Sequence, residues 1–339
     1  MINLKNVSKN FKLPFINTHT HAAMIAFRGM AEDLPLKKWL EENIWPMEKA
    51  KVNPEFVYEN TKRAIIEMQK NGIRAFCDMY FFEDEVARVA EELQMYAVLG
   101  ESIIDFPTPS YGKPEEAFDI LEKQLVRYKD SHYVKIAVMA HSIYTVCEDN
   151  LVKAKKLARK YDTIFHTHLA ETREEFEECR EKNGATPVEY LEKLGLLDDK
   201  TILAHCVWLT DEDIDILARR DVKVAHCPLS NLKLGSGIAP VHKMIKKGIT
   251  VALGTDGAAS SNRLDIWEAG KFAVLLQKGI TGDPSIITAK EAIEMMTVNG
   301  MKALGFSEID GKKISDVQEE IDKIDKYDLL YSHYIGEMV

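Results

Sequence analysis

The chain has 339 residues, 46% hydrophobic and 29% charged, with a formal net charge of −10. This is the composition of a globular protein with a sizeable core, and the acidic balance without a lysine/arginine block excludes nucleic acid as the main partner, since phosphate binding needs a concentrated basic face. No apolar run approaches a membrane span, Met1-Ile2-Asn3-Leu4-Lys5-Asn6 lacks the apolar core of a signal peptide, and five cysteines without a Cys-x-x-Cys point to a reduced, cytoplasmic setting.

In chain order, Phe15-Ile16-Asn17-Thr18-His19-Thr20-His21 is an apolar run ending in two histidines one residue apart. Alternate side chains of a strand share a face, so His19 and His21 point the same way. Residues 28–47, with Glu32, Asp33, Trp39, Trp45 and Pro46, are long for a plain connection and suit a loop with one short helix lying over a site. Asn53 and Pro54 start a helix that Asn71-Gly72 ends. Strands follow at 73–79 and 96–101, with a helix over 83–93 between them. Residues 106–114 are a proline-rich loop, and 115–129 a helix. Val134–Ala140 is a strand running into His141, and 148–161 a helix. The strand 163–168 again ends in histidine, and helical patterns continue to Gly195. The strand 201–205 ends in His205. Thr210 opens a helix with acidic residues in its first turn. The strand 222–226 leads through Pro228 into a loop reaching Gly237. Residues 240–247 are helical, and 250–256 form the last strand. Helices over 265–278, 289–303 and 317–326 complete the chain. Cys206 and Cys227 read as small buried hydrophobes.

Eight short apolar strands alternating with helices fit a closed (β/α)8 barrel of the TIM type. The competing doubly wound sheet lacks its glycine-rich phosphate loop. The strand ends carry His21, Asp78, Glu101, His141, His168, His205, His226 and Asp256, and in a barrel those ends form the rim where active sites lie. His19, His21, His168 and Asp256 are the candidate ligands of one divalent metal, with a position left open for water. Zn2+ is the leading choice, and Fe2+ and Mn2+ suit the same donors. The fourth strand ends in His141 rather than a lysine that could bridge a second ion. His166 shares the face of His168 and reads as a packing or supporting histidine rather than a ligand. A metal would acidify its water, and Glu171, three residues past His168, is placed to move protons. His205 can donate to or orient that water, and Asp256 can serve as ligand and proton acceptor together. Asp78 and His226 read as rim packing.

These segments resemble the amidohydrolase superfamily, through residues 15–22, His166-Thr167-His168-Leu169-Ala170-Glu171-Thr172, Ala204-His205-Cys206-Val207 and Leu253-Gly254-Thr255-Asp256-Gly257. Residues 28–34, Trp39 and 230–240 resemble its 5′-methylthioadenosine/S-adenosylhomocysteine deaminase branch, and the likeness runs over residues 14–306. The resemblance implies hydrolytic deamination of an aminopurine or adenine nucleoside, with metal-activated water attacking the amino-bearing ring carbon and ammonia leaving. It implies His19, His21, His168 and Asp256 as ligands, and Glu171, His205 and Asp256 as the catalytic groups. It places Trp39 on the pocket wall, Glu48 on the ribose hydroxyls and His141 on the purine. Two arginines of the branch are replaced, by Glu101 and Lys113, so Glu101 is expected to face the substrate and disfavour a carboxylate. Hydrolysis of another ring-carbon leaving group (guanine, pterin or triazine type) and a metal-binding barrel without turnover are the alternatives. The family's flanking β-sandwich is expected to be missing or reduced. Residues 1–306 would then form the barrel and 307–339 a charged helical tail. The bared apolar surface would suit a homo-oligomer.

Overall fold

The computed structural model describes residues 13–324 and residue 330. Nine parallel strands run in chain order around a nearly closed barrel: β1 Phe15–Thr20, β2 Ile73–Tyr80, β3 Tyr96–Ile103, β4 Val134–Ile136, β5 Val138–Ser142, β6 Phe165–Leu169, β7 Thr201–His205, β8 Lys223–His226 and β9 Val251–Leu253. The predicted eighth-part repeat holds, with one refinement. The fourth predicted strand is split at Ala137, and both pieces pair with β3. The split sits where the backbones come closest: a Cβ on Gly100 would lie 2.4 Å from Met139 Cγ and 2.7 Å from the Ala137 carbonyl.

Helices pack outside the strands, starting and stopping where the side chains dictate. Asn53 accepts a hydrogen bond from Phe56 N and Pro54 opens the helix Pro54–Lys70. Thr210 caps Asp211–Arg219 in the same way, and Asp265 caps Ile266–Thr281. The loop expected after Pro228 is instead a short helix, Pro228–Lys233, because proline is well placed in a first turn and Asn231 N bonds to Cys227 O. The helix predicted over 289–303 breaks at Thr297, whose hydroxyl bonds to Ile293 O. Beyond the barrel come a two-residue hairpin, Glu308–Ile309 with Lys312–Lys313, and a helix Ile314–Asp322. These are the only strands outside the barrel among the described residues. The end of the helix predicted over 317–326 lies outside the described residues. Among those described, no helix is long and apolar enough to cross a membrane.

The ring closes between β9 and β1, which share no regular ladder. Side chains stitch this seam instead. The Thr18 hydroxyl donates to Leu253 O at 2.8 Å, and the Thr20 hydroxyl to Asp256 O at 2.9 Å. Asn17 donates to the Thr255 hydroxyl and accepts from Thr255 N. Gly254 makes the close approach feasible, since a Cβ there would lie 2.9 Å from both Cys227 Sγ and His19 Cβ. Gly254→Ala should therefore overpack the seam. The expected loss is about 1–3 kcal/mol, read as a lower melting temperature of the metal-free protein; an unchanged melting temperature would show the seam to be slack.

Candidate active site

The two histidines of β1 reach the rim on one face, as alternation requires. His19 is fully buried, and its Nε2 lies 3.0 Å from His168 Nε2 at the end of β6. Asp256 follows β9, with Oδ1 3.2 Å from His21 Nε2 and 3.6 Å from His19 Nε2. Two overlapping triads have their donor atoms mutually within 4.8 Å: His19, His21, Asp256 and His19, His168, His205. The four predicted ligands thus converge. His205, assigned from sequence to the water, joins one of these triads although its ring lies farther from His19, at 5.7 Å between centroids, than that of His168, at 4.7 Å.

The imidazoles are aimed by their second nitrogens. His21 Nδ1 donates to Met79 O at 2.6 Å and His168 Nδ1 to His141 O at 2.7 Å. His205 Nδ1 lies 2.7 Å from Asn231 Oδ1. A carbonyl acceptor fixes the proton on Nδ1 and leaves the Nε2 lone pair facing inward, the form a metal requires. The Asp256 carboxylate is held from outside by the Ser230 and Ser260 hydroxyls at 2.5 and 2.9 Å and by Gly257 N at 2.7 Å. His205 and Asp256 adopt positive φ, 73° and 60°, a strain typical of functional positions. Inward-facing Nε2 atoms and one carboxylate in a tight buried shell fit a divalent ion of the zinc type.

Glu171 is buried, 3.5 Å from His205 Nε2 and 3.3 Å from the Ser236 hydroxyl. Burial raises its proton affinity above the ordinary carboxylate value, against the pull of His205. Its turn is held by Glu175, whose carboxylate accepts from Ala170 N and Glu171 N, both at 2.8 Å. Neither Glu175 nor Asn231 was singled out from sequence. The visible signal for Glu175 was the Thr172-x-x-Glu175 pattern of a helix start. Asn231 carried none beyond its place in the 230–240 motif.

A pocket opens above these groups and is lined by Trp39, Glu48, Tyr80, His141, Tyr144, His168, Glu171, His205 and Asp256. Residues 28–47, expected as a loop with one short helix, are more helical. They carry a single turn Leu36–Lys38, a π-turn Trp39–Ile44 and the start of a helix Trp45–Lys51, and a 3-10 turn Ala22–Phe27 precedes them. The buried Trp39 Nε1 has no hydrogen-bond partner. Burial pushes the Glu48 carboxyl up to about 7, partly opposed by Tyr80. Burial likewise lowers His141 to about 3.

Glu101 is a correction. It does not line the pocket. Alternation along β3 turns it outward and gives Ser102 to the pocket, while its carboxylate accepts from Phe82 N, Glu83 N and the Ser110 hydroxyl at the start of the helix Glu83–Glu92. Lys113 also stands outside, exposed ahead of the helix Pro114–Arg127. Asp78 serves the rim, accepting from Ala22 N at 2.7 Å, and both nitrogens of the buried His226 are without a hydrogen-bond partner.

A parallel barrel with a histidine/aspartate cluster on its C-terminal rim is the architecture of a metal-dependent hydrolase. Residues 14–312 match the amidohydrolase family, and the chain belongs to it. It is 50% identical over 292 residues to the 5-methylthioadenosine/S-adenosylhomocysteine deaminase of Thermodesulfovibrio yellowstonii, covering 86% of this chain and 66% of that relative. It is 43% identical over 296 residues to the 5′-deoxyadenosine deaminase of Methanothermobacter thermautotrophicus, covering 86% of this chain and 68% of that one. The chain thus spans about two thirds of the length of these relatives. Among solved structures, the zinc-bound adenosine deaminase of Xanthomonas campestris superposes with a TM-score of 0.89 at 34% identity, over 94% of this chain and 75% of that one.

Metal uptake should release protons in a predictable number. Burial lowers His21, but the hydrogen bond and charge of Asp256 override it and raise the group to about 9. His19 and His168 are lowered by burial and neighbouring imidazoles, and Asp256 is lowered because His21 outweighs its own burial. Near neutral pH only His21 then holds a proton that a metal must displace. Calorimetric zinc titration in buffers of different ionisation enthalpy should show about one proton released per metal, falling away as pH rises through about 9. The metal's own acidified water can add up to one further proton, so release of more than two would show that His19 or His168 is protonated as well.

Proposed function

We propose that the chain deaminates an adenine nucleoside bearing a small, uncharged 5′ group. The observation carrying this reading is that Glu171, His205 and the His19/His21/His168/Asp256 donors meet in one pocket with Trp39 and Glu48. A single divalent ion held by those four donors, most simply Zn2+, would supply Lewis acidity and a water acidified to near neutral pH.

This chain's residues do the rest. Glu171 donates a proton to the ring nitrogen next to the amino-bearing carbon, a role its raised proton affinity suits. With Nδ1–H committed to Asn231, His205 Nε2 accepts a hydrogen bond from the attacking water. Asp256 takes the proton that the water gives up. The C–O bond forms, the C–N bond breaks, the amino group leaves as ammonia after gaining that proton, and the proton left on the new oxygen returns to Glu171 as the carbonyl forms. His141, neutral because it is buried, can hydrogen-bond the purine, and Trp39 offers a flat wall and an unpaired N–H. Glu48 presents two acceptor oxygens to a vicinal diol.

Much of the rest of the wall is apolar, with Leu36, Leu40, Ile44, Phe81 and Ile104, and neither lysine nor arginine lines it among the described residues. A substrate carboxylate there finds no cation. Losing a charged hydrogen-bond partner costs about 1.5–3 kcal/mol, or about 10- to 100-fold in kcat/KM. Ammonia release by zinc-loaded protein should therefore rank 5′-methylthioadenosine and 5′-deoxyadenosine above S-adenosylhomocysteine by about that factor. Equal or better turnover of S-adenosylhomocysteine would discard the uncharged-pocket reading, and silence toward every aminopurine would discard the deaminase.

Glu171→Gln separates catalysis from binding. It should keep the metal and lose about 10²–10⁴-fold in turnover. Parent-like activity would remove Glu171 from the mechanism.

A further inference from the structure

The fourth imidazole of the cluster is aimed differently from the others. His19 Nδ1 meets no carbonyl; it lies 3.1 Å from Nε2 of His166, with the two ring planes 11° apart. His166 is fully buried on β6, and its Nδ1 faces Cys77 Sγ on β2 at 4.0 Å. It belongs to neither donor triad. We propose that His166 is a positioning residue that selects the metal-binding tautomer of His19, through a buried relay running from Cys77 through His166 to His19.

The proton count admits one arrangement. His19 Nε2 points at His168 Nε2 and into the donor cluster, so it must offer a lone pair there, and its proton sits on Nδ1. That N–H needs an acceptor, and His166 Nε2 is the atom in reach. A neutral imidazole has one N–H and one lone pair. His166 therefore carries its proton on Nδ1, pointing at the sulfur of Cys77, a weak but available acceptor. Were the His166 proton on Nε2, it would compel His19 to accept at Nδ1 and carry its own proton on Nε2, blocking the ligand position. A carbonyl cannot be misprotonated in this way. The His19–His166 pair can, so the tautomer of His166 decides whether His19 can bind metal.

The inference rests on the metal reading above, but not on the substrate. The test is zinc affinity by chelator competition, with the melting temperature of each metal-free variant as a folding control. His166→Phe removes the acceptor and should weaken zinc about 10- to 100-fold, the usual effect of losing a ligand's supporting partner. His166→Gln places an amide oxygen near the lost Nε2 and should stay within a few-fold of the parent. Equal weakening in both variants, or parent-like affinity in His166→Phe, would overturn the proposal. Long-range ¹H–¹⁵N spectra of the histidine-labelled parent give a readout independent of any variant. They should show His166 protonated at Nδ1, with Nε2 bare and free of metal; a proton or a metal on His166 Nε2 would also overturn it. A protein that binds zinc as described but deaminates nothing would sink the proposed activity and leave this inference standing.

Discussion

The seam between β9 and β1 is the constraint on which the site depends. Two of the donors, His19 and Asp256, come from opposite sides of it, and they are bridged through the backbone by Asp256 N on His19 O at 2.9 Å. A regular ladder would have set this spacing by repetition. Here it is set by three polar side chains, Asn17, Thr18 and Thr20, buried where a strand would ordinarily carry apolar ones. Such groups are costly to bury unless each is bonded, and each is. The hydrogen bonds that shut the barrel therefore also hold the donors together, which couples site geometry to fold stability.

Burial is the second determinant. Within the cluster it pushes His19 and His168 toward the neutral form, and at the pocket wall it drives the carboxyls of Glu48 and Glu171 toward the protonated form. The contrary pair is His21 and Asp256, whose direct contact with each other outweighs desolvation on both. A single desolvated rim thus favours bare nitrogens on His19 and His168 and a higher proton affinity on Glu171. The same logic accounts for Glu101. Turned away from the pocket, it finds the backbone N–H groups of Phe82 and Glu83, and these stabilise it where it stands.

Much of this was legible in the chain because strand periodicity is strict. Apolar runs ending in His21, His168, His205 and Asp256 declare both a parallel barrel and a polar rim, and residue type alone suggests the metal. Legibility stopped where a side chain's direction depends on register. The shared face of alternate residues could not say that Glu101 points outward at its strand end while Ser102 points in. Nor could it show that residues 22–51 wind into 3-10 and π-turns, since Trp39, Leu40 and Ile44 are buried by packing over the pocket rather than by a helical repeat. Asn231 and Glu175 were hidden for a related reason. Each acts on a neighbour, through one hydrogen bond or two, and its residue type is equally at home in an ordinary turn or helix start.

His166 shows how a supporting group differs from a ligand when both are histidines on one face of one strand. His168, at the rim, has a backbone carbonyl behind it and an open cluster in front. His166 lies two residues deeper, where the interior narrows, and meets the back of His19 instead. On β6 the two histidines share a face and differ in depth. On β1 the same alternation brings both His19 and His21 into the donor cluster, so depth alone does not separate a donor from its support; His166 differs because it meets the back of His19 rather than the cluster itself.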